Sequence, residues 1–124
     1  MLEVLYVGFG GFLGASFRFG IGRLMKIWLD HPFPWATLAV NIVGCICLGF
    51  MVGLFKNHAS FSTLWLFLVI GFLGSFTTFS AFSFETVELL QQQELRLAML
   101  NIAANVIFCL GAILSGILAG NYIK

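Results

Sequence analysis

Charged residues are so sparse in this 124-residue chain that they divide it like marks on a ruler. His31 to Phe55, Asn57 to Phe84 and Leu97 to Ile123 hold no Asp, Glu, Lys or Arg over 25, 28 and 27 residues. A helix crosses the hydrocarbon core of a bilayer with roughly 20 residues at ~1.5 Å each, so every one of these stretches suffices. A fourth stretch, Val4 to Phe17, runs for 14 residues before Arg18 interrupts it, and it spans if its helix carries on to Met25. Strands open to lipid would leave backbone groups unpaired, which makes helices the default. The expectation is an all-α membrane protein, one domain over residues 1–124, with transmembrane helices near 3–27, 34–55, 62–91 and 96–121.

The same scarcity excludes other classes. Only 9% of the residues are charged and 60% are AVILMFWYC, against about 25% charged in soluble domains. Too little polar surface remains to wrap a cytosolic enzyme. A net charge of +1 without a basic run offers no footprint for nucleic acid. Three cysteines without CxxC or Cys/His spacing give neither a disulfide framework nor a zinc site. Glu3 where a signal peptide would be basic argues against a cleaved leader. No P-loop, HExxH or nucleophile–base pair is present.

Lys and Arg beside the spans set orientation. With four spans, Lys56 and Lys124 fall on one side and Arg23, Lys26 and Arg96 on the other, two against three. So small a bias suits insertion in both orientations, with pairing of antiparallel copies.

Small residues four apart, at Gly10/Gly14, Gly49/Gly53 and Gly116/Gly120, let helices approach closely. Arg18 inside a span must face water, a partner or a cavity, or snorkel to the interface. Asn41, one turn after Thr37, either bonds a neighbouring helix or lines a polar path, because a buried amide must be satisfied. Asn101 and Asn105 share a face of the fourth helix, where bonding between helices is their expected role. The third span holds the weakest helical stretch, Gly71-Phe72-Leu73-Gly74-Ser75-Phe76-Thr77-Thr78, near its centre. A break there frees carbonyls that suit a cation and amides that suit an anion. After it, helical geometry sets Phe79, Phe82, Ser80, Ser83 and Thr86 on one face. Phenylalanine edges are electropositive, so an anion stripped of water could lie against them, helped by hydroxyls and the Asn41 amide. Glu85 and Glu88 are expected to form a water-facing acidic rim.

Gly71-x-x-Gly74-x-x-Thr77-Thr78-Phe79-Ser80-Ala81-Phe82-Ser83-x-Glu85 closely resembles the Fluc/CrcB fluoride-channel family. Gly10-Gly11-x-x-Gly14-Ala15-x-x-Arg18 and Ala36-Thr37-Leu38-x-Val40-Asn41-x-x-Gly44 match its first and second helices. The resemblance implies a passive fluoride channel of the cell (inner) membrane, built as a dual-topology antiparallel homodimer with two pores. It implies a structural sodium ion on the dyad, held by the backbone carbonyls of Gly74 and Thr77. It places Asn41, Phe79, Phe82, Ser80 and Ser83 along the fluoride path, with Arg18, Thr37 and Glu85 as accessory residues of its vestibule. Ala81 departs from the family, which usually has Thr there. The competing reading is a small multidrug-resistance exporter coupled to protons. That class needs an acid inside its first helix, and Glu3 lies at the very edge.

Overall fold

The computed structural model describes residues 1–55 and 62–123, so Lys56, His58 and Lys124 lie outside the described residues. Four helices are long and apolar enough to cross a membrane: α1 (Leu2–Trp28), α2 (Trp35–Leu54), α3 (Thr63–Gln91) and α4 (Leu95–Tyr122). No strand occurs among the described residues. α1 runs through Arg18 without interruption, with Glu3 in its first turn and Lys26 in its last. Both charges complement the helix dipole. Between α3 and α4, Gln93 takes a left-handed φ of 62°. Its N–H bonds the Leu90 carbonyl and that of Glu94 bonds Leu89, a Schellman closure that turns the chain back in few residues.

The helices pack as two pairs, α2 with α4 and α1 with the first half of α3. Glycine decides both. A Cβ on Gly10 or Gly14 would run into the Phe67 or Phe72 carbonyl of α3, and one on Gly71 would sit 2.7 Å from the Val7 carbonyl. Gly49 and Gly116 stand in the same relation to the Ile113 and Ile46 carbonyls. Partners advance together along each pair, Gly10 with Phe67 and Gly14 with Phe72, Gly49 with Ile113 and Gly53 with Ile117, so both pairs are parallel. Apolar burial gives helices little reason to associate in lipid, and close backbone approach replaces it.

α3 is not one regular helix. A turn at Thr63–Trp65, where the Ser62 hydroxyl accepts from the Trp65 N–H at 3.2 Å, leads into a π-helix over Leu66–Leu73. A short α turn, Gly74–Phe76, then stops at Thr77 and Thr78, both extended, before an α-helix resumes over Phe79–Gln91. The interruption therefore lies at the two threonines. Gly71 and Gly74 remain helical, Gly71 serving the contact with α1. No feature of the sequence marks the π segment. It widens the helix where α1 passes closest, and such segments are frequent at functional sites.

Candidate ion site at the interrupted helix

Thr78 is the pivot of the site. With φ −151° and ψ 118° it cannot join either half-helix ladder, and it is buried, so its backbone groups need partners. Asn41 of α2 supplies them. Its Oδ1 accepts from the Thr78 N–H at 2.8 Å and its Nδ2 donates to the Thr78 carbonyl at 3.1 Å. The second Nδ2 proton goes to Asn105 Oδ1 of α4, at 3.1 Å. Asn41 thus bonds two neighbouring helices at once, and both its donors are committed within the chain. The Thr78 hydroxyl accepts from the Ala81 N–H at 3.1 Å, capping the second half-helix, and lies 3.2 Å from the Ser80 hydroxyl.

A cavity of about 530 Å³ opens beside this pivot, lined by residues of α1, α2 and the second half of α3. Arg18, Arg23 and Lys26 line it from α1, Thr37 from α2, and Thr78, Ala81, Glu85 and Glu88 from α3. The cavity is positive along its α1 wall, and a charged wall in a low-dielectric cleft concentrates counter-ions. Arg18 does not stand free. Its Nε donates to the Ser75 carbonyl at 3.1 Å, just before the interruption, where the first half-helix presents unpaired carbonyls and a cation is favoured.

The acidic pair divides. Glu88 is exposed, as an acidic rim requires, but Glu85 is not part of one. Its Oε1 accepts from the Thr37 hydroxyl at 2.7 Å, and its Oε2 is buried with no partner among the described residues. The rim expectation is corrected for Glu85: Thr37, fully buried on α2, draws the carboxylate inward.

The remaining site residues do not line the cavity. Phe79 and Phe82 pack one turn apart, centroids 5.3 Å apart and planes inclined by 51°, yet Phe79 is 78% exposed. Ser80 is exposed and the Ser83 hydroxyl is turned back onto the Phe79 carbonyl at 2.9 Å. Thr86 leaves this group: it is buried against α4, where Asn101 Nδ2 donates to its hydroxyl at 2.9 Å. Gly74 is exposed and its missing side chain meets nothing closer than the Val69 carbonyl at 3.8 Å. The Gly74 and Thr77 carbonyls accept no hydrogen bond across the interruption among the described residues. One chain therefore gathers Arg18, Thr37 and Glu85 around a cavity, holds Asn41 behind Thr78, and leaves Phe79 exposed and Phe82 half-buried.

The family profile described as CrcB-like protein, Camphor Resistance (CrcB), matches residues 5–117. A protein of Hydrogenovibrio crunogenus named Fluoride-specific ion channel FluC is 45% identical over 97% of this chain and 92% of its own length. Proteins of the same name from Idiomarina loihiensis and Magnetococcus marinus are 42% and 36% identical. They align over 95% and 98% of this chain, and over 92% and 100% of their own lengths.

Proposed function

The chain belongs to the CrcB family, and on that premise we propose that it is a fluoride-selective passive channel of the cell membrane. It is a multi-pass membrane protein whose relatives are named as ion channels and not as enzymes. The observation that carries the reading is the interrupted, Asn41-clamped α3, found in a chain 45% identical to a protein named for fluoride conduction. Hydrogen fluoride leaks into cells and dissociates at the higher internal pH, so a passive path for the anion lowers cytoplasmic fluoride without ATP or proton coupling. The exporter alternative is not favoured, since Glu3 is exposed in the first turn of α1 and no second acid follows it in that helix. Reconstitution tests the proposal: vesicles carrying the protein release fluoride and retain chloride and drug cations, whereas drug efflux driven by protons would contradict it.

The functional unit we propose is an antiparallel homodimer. Phe79, Phe82 and the cavity are open on the sides where a conduit needs a wall, and a second copy supplies it. The Gly10/Gly14, Gly49/Gly53 and Gly116/Gly120 pairs are engaged in α1–α3 and α2–α4 contacts within the chain, so the partner meets other faces. A terminal tag is expected to be reachable from both sides of the membrane in active preparations. Labelling from one side only would contradict dual insertion.

We propose that the backbone carbonyls of Gly74 and Thr77 hold a structural sodium ion. Hard oxygen donors at an unwound helix suit that cation, and neither carbonyl is spent on a hydrogen bond across the interruption. With a pair from each copy, the ion would tie the two interruptions together and cancel the carbonyl charge there.

The Arg18 wall is read as the attracting element for the anion. Arg18→Ala is expected to lower fluoride flux a few-fold at low salt and less at ~0.15 M, where the Debye length is ~8 Å. An effect independent of salt would instead assign Arg18 wholly to its bond with the Ser75 carbonyl.

A further inference from the structure

Sequence spacing sets the three cysteines apart, but the parallel α2–α4 pair brings two of them together. That pair keeps one register along its length. Asn41 bonds Asn105, Gly49 lies against the Ile113 carbonyl and Gly53 against that of Ile117, the α4 partner always 64 positions on. The same step carries Cys45 to Cys109, one turn beyond the asparagines and one turn before the first glycine contact. Both cysteines are half-buried and free, and their thiols interact directly. Cys47 is exposed on another face of α2.

Cys45 also lines a second cavity, of about 160 Å³, between α2 and α3. It reaches Leu73, Gly74 and Thr77 at the interruption and has no carboxylate or imidazole in its wall. No group of three His, Cys, Asp or Glu that could share a metal occurs among the described residues. The pair therefore offers two sulfurs and no third side-chain ligand. Zinc wants four ligands and is poorly served here. Thiolates select soft cations, and those satisfied by two sulfurs in line are of the mercury, silver and copper(I) kind. Charge decides among them, because a net charge inside a membrane span is costly. A divalent cation on two thiolates is neutral, whereas a monovalent one on the same pair leaves a negative charge.

We propose that Cys45 and Cys109 form a two-coordinate site for a soft divalent cation of the mercury type, reached from the cavity beside the interruption. Loading breaks two S–H bonds, forms two metal–sulfur bonds and passes two protons to solvent, with no change of oxidation state. A metal between the sulfurs holds them farther apart than direct thiol contact does. Backbone contacts at Gly49 and Gly53 hold α2 to α4 on one side of the site. The separation therefore falls on the other side, one turn away, where Asn41 bonds Asn105 and clamps Thr78. Binding stands independently of the channel reading, and its effect on fluoride flux rests on that reading.

The test uses the full chain with Cys47→Ser, which leaves only the facing pair, and mercuric chloride as the probe. Native mass measurement is expected to show one mercury per chain with two protons lost, and neither thiol of the loaded protein should react with a maleimide. Cys45→Ala and Cys109→Ala in that background each leave one sulfur. Mercury is expected to leave either variant at a roughly hundredfold lower concentration of a competing monothiol, since the second bond in the intact pair forms within one chain. Fluoride flux through the Cys47→Ser protein is expected to fall roughly tenfold or more on loading, a barrier raised by ~1.4 kcal/mol. It should recover when mercury is stripped, and both alanine variants should resist. Equal retention of mercury by Cys45→Ala would overturn the site, as would a thiol of the loaded pair that still reacts with maleimide. Native flux through fully loaded protein would overturn the coupling to the interruption. Mercury held by the pair in a protein that carries no fluoride would uphold the site and bring down the channel reading instead.

Discussion

Replacing Phe79 or Phe82 by isoleucine is expected to cut fluoride conduction roughly ten- to hundredfold, equivalent to a barrier raised by ~1.4–2.8 kcal/mol. Fluoride holds its water tightly, so a dry path must offer several groups that attract a small anion. Backbone and hydroxyl donors near the interruption are largely spoken for: Asn41 by Thr78 and Asn105, Ser83 by the Phe79 carbonyl, and the Ala81 N–H by Thr78. The ring edges of the inclined Phe79–Phe82 pair remain available, and their positive rim is the part of the quadrupole that faces an anion. Isoleucine fills similar space without that rim. The substitution spares the fold because Phe79 is 78% exposed and Phe82 is half-buried, so elution of the variants at the native size is part of the expected result. Native conduction in both variants would remove the aromatic edge from the mechanism.

The second large effect is on assembly. Gly14→Ala places a methyl group against the Phe72 carbonyl, in a contact that only a shift of backbone relieves. Overpacking of this kind costs ~1–3 kcal/mol, and Gly10, one turn away, lies equally close to the Phe67 carbonyl. Because α1 reaches the interruption through Arg18 and the Ser75 carbonyl, separating α1 from α3 also loosens the site. Gly14→Ala is expected to lower the melting temperature in detergent and the folded yield markedly, with Gly10→Ala similar. Gly111→Ala is the control: nothing lies within 4 Å of a Cβ there, and alanine improves helix propensity by ~1 kcal/mol. Equal melting of the Gly14 and Gly111 variants would contradict the packing account.

The spacing of charges made the four helices legible, and glycine spacing made close helix contacts legible without saying which helix each would meet. The third helix was readable as interrupted because its central residues have poor helical preference. The position within that stretch was not, since it is decided by Asn41, thirty-seven residues away in sequence, taking both backbone groups of Thr78. Local propensity pointed at the glycines, and tertiary hydrogen bonding chose the threonines. The π-helix over Leu66–Leu73 left no signal in composition or periodicity. Glu85 read as a rim residue because its neighbour Glu88 is one; its inward turn depends on the Thr37 hydroxyl of another helix. For Asn101 and Asn105 the shared helical face was visible, but not their partners, the Thr86 hydroxyl and the Asn41 amide.

The account stands most directly on ion selectivity, and a reversal potential measures it. With purified protein in a planar bilayer, fluoride on one side and chloride on the other at equal concentration, a fluoride-selective channel carries current only as fluoride moves. The potential at zero current is then expected to lie far from zero, with the sign set by the fluoride side. A reversal potential near zero, showing that chloride passes as readily as fluoride, would contradict the account.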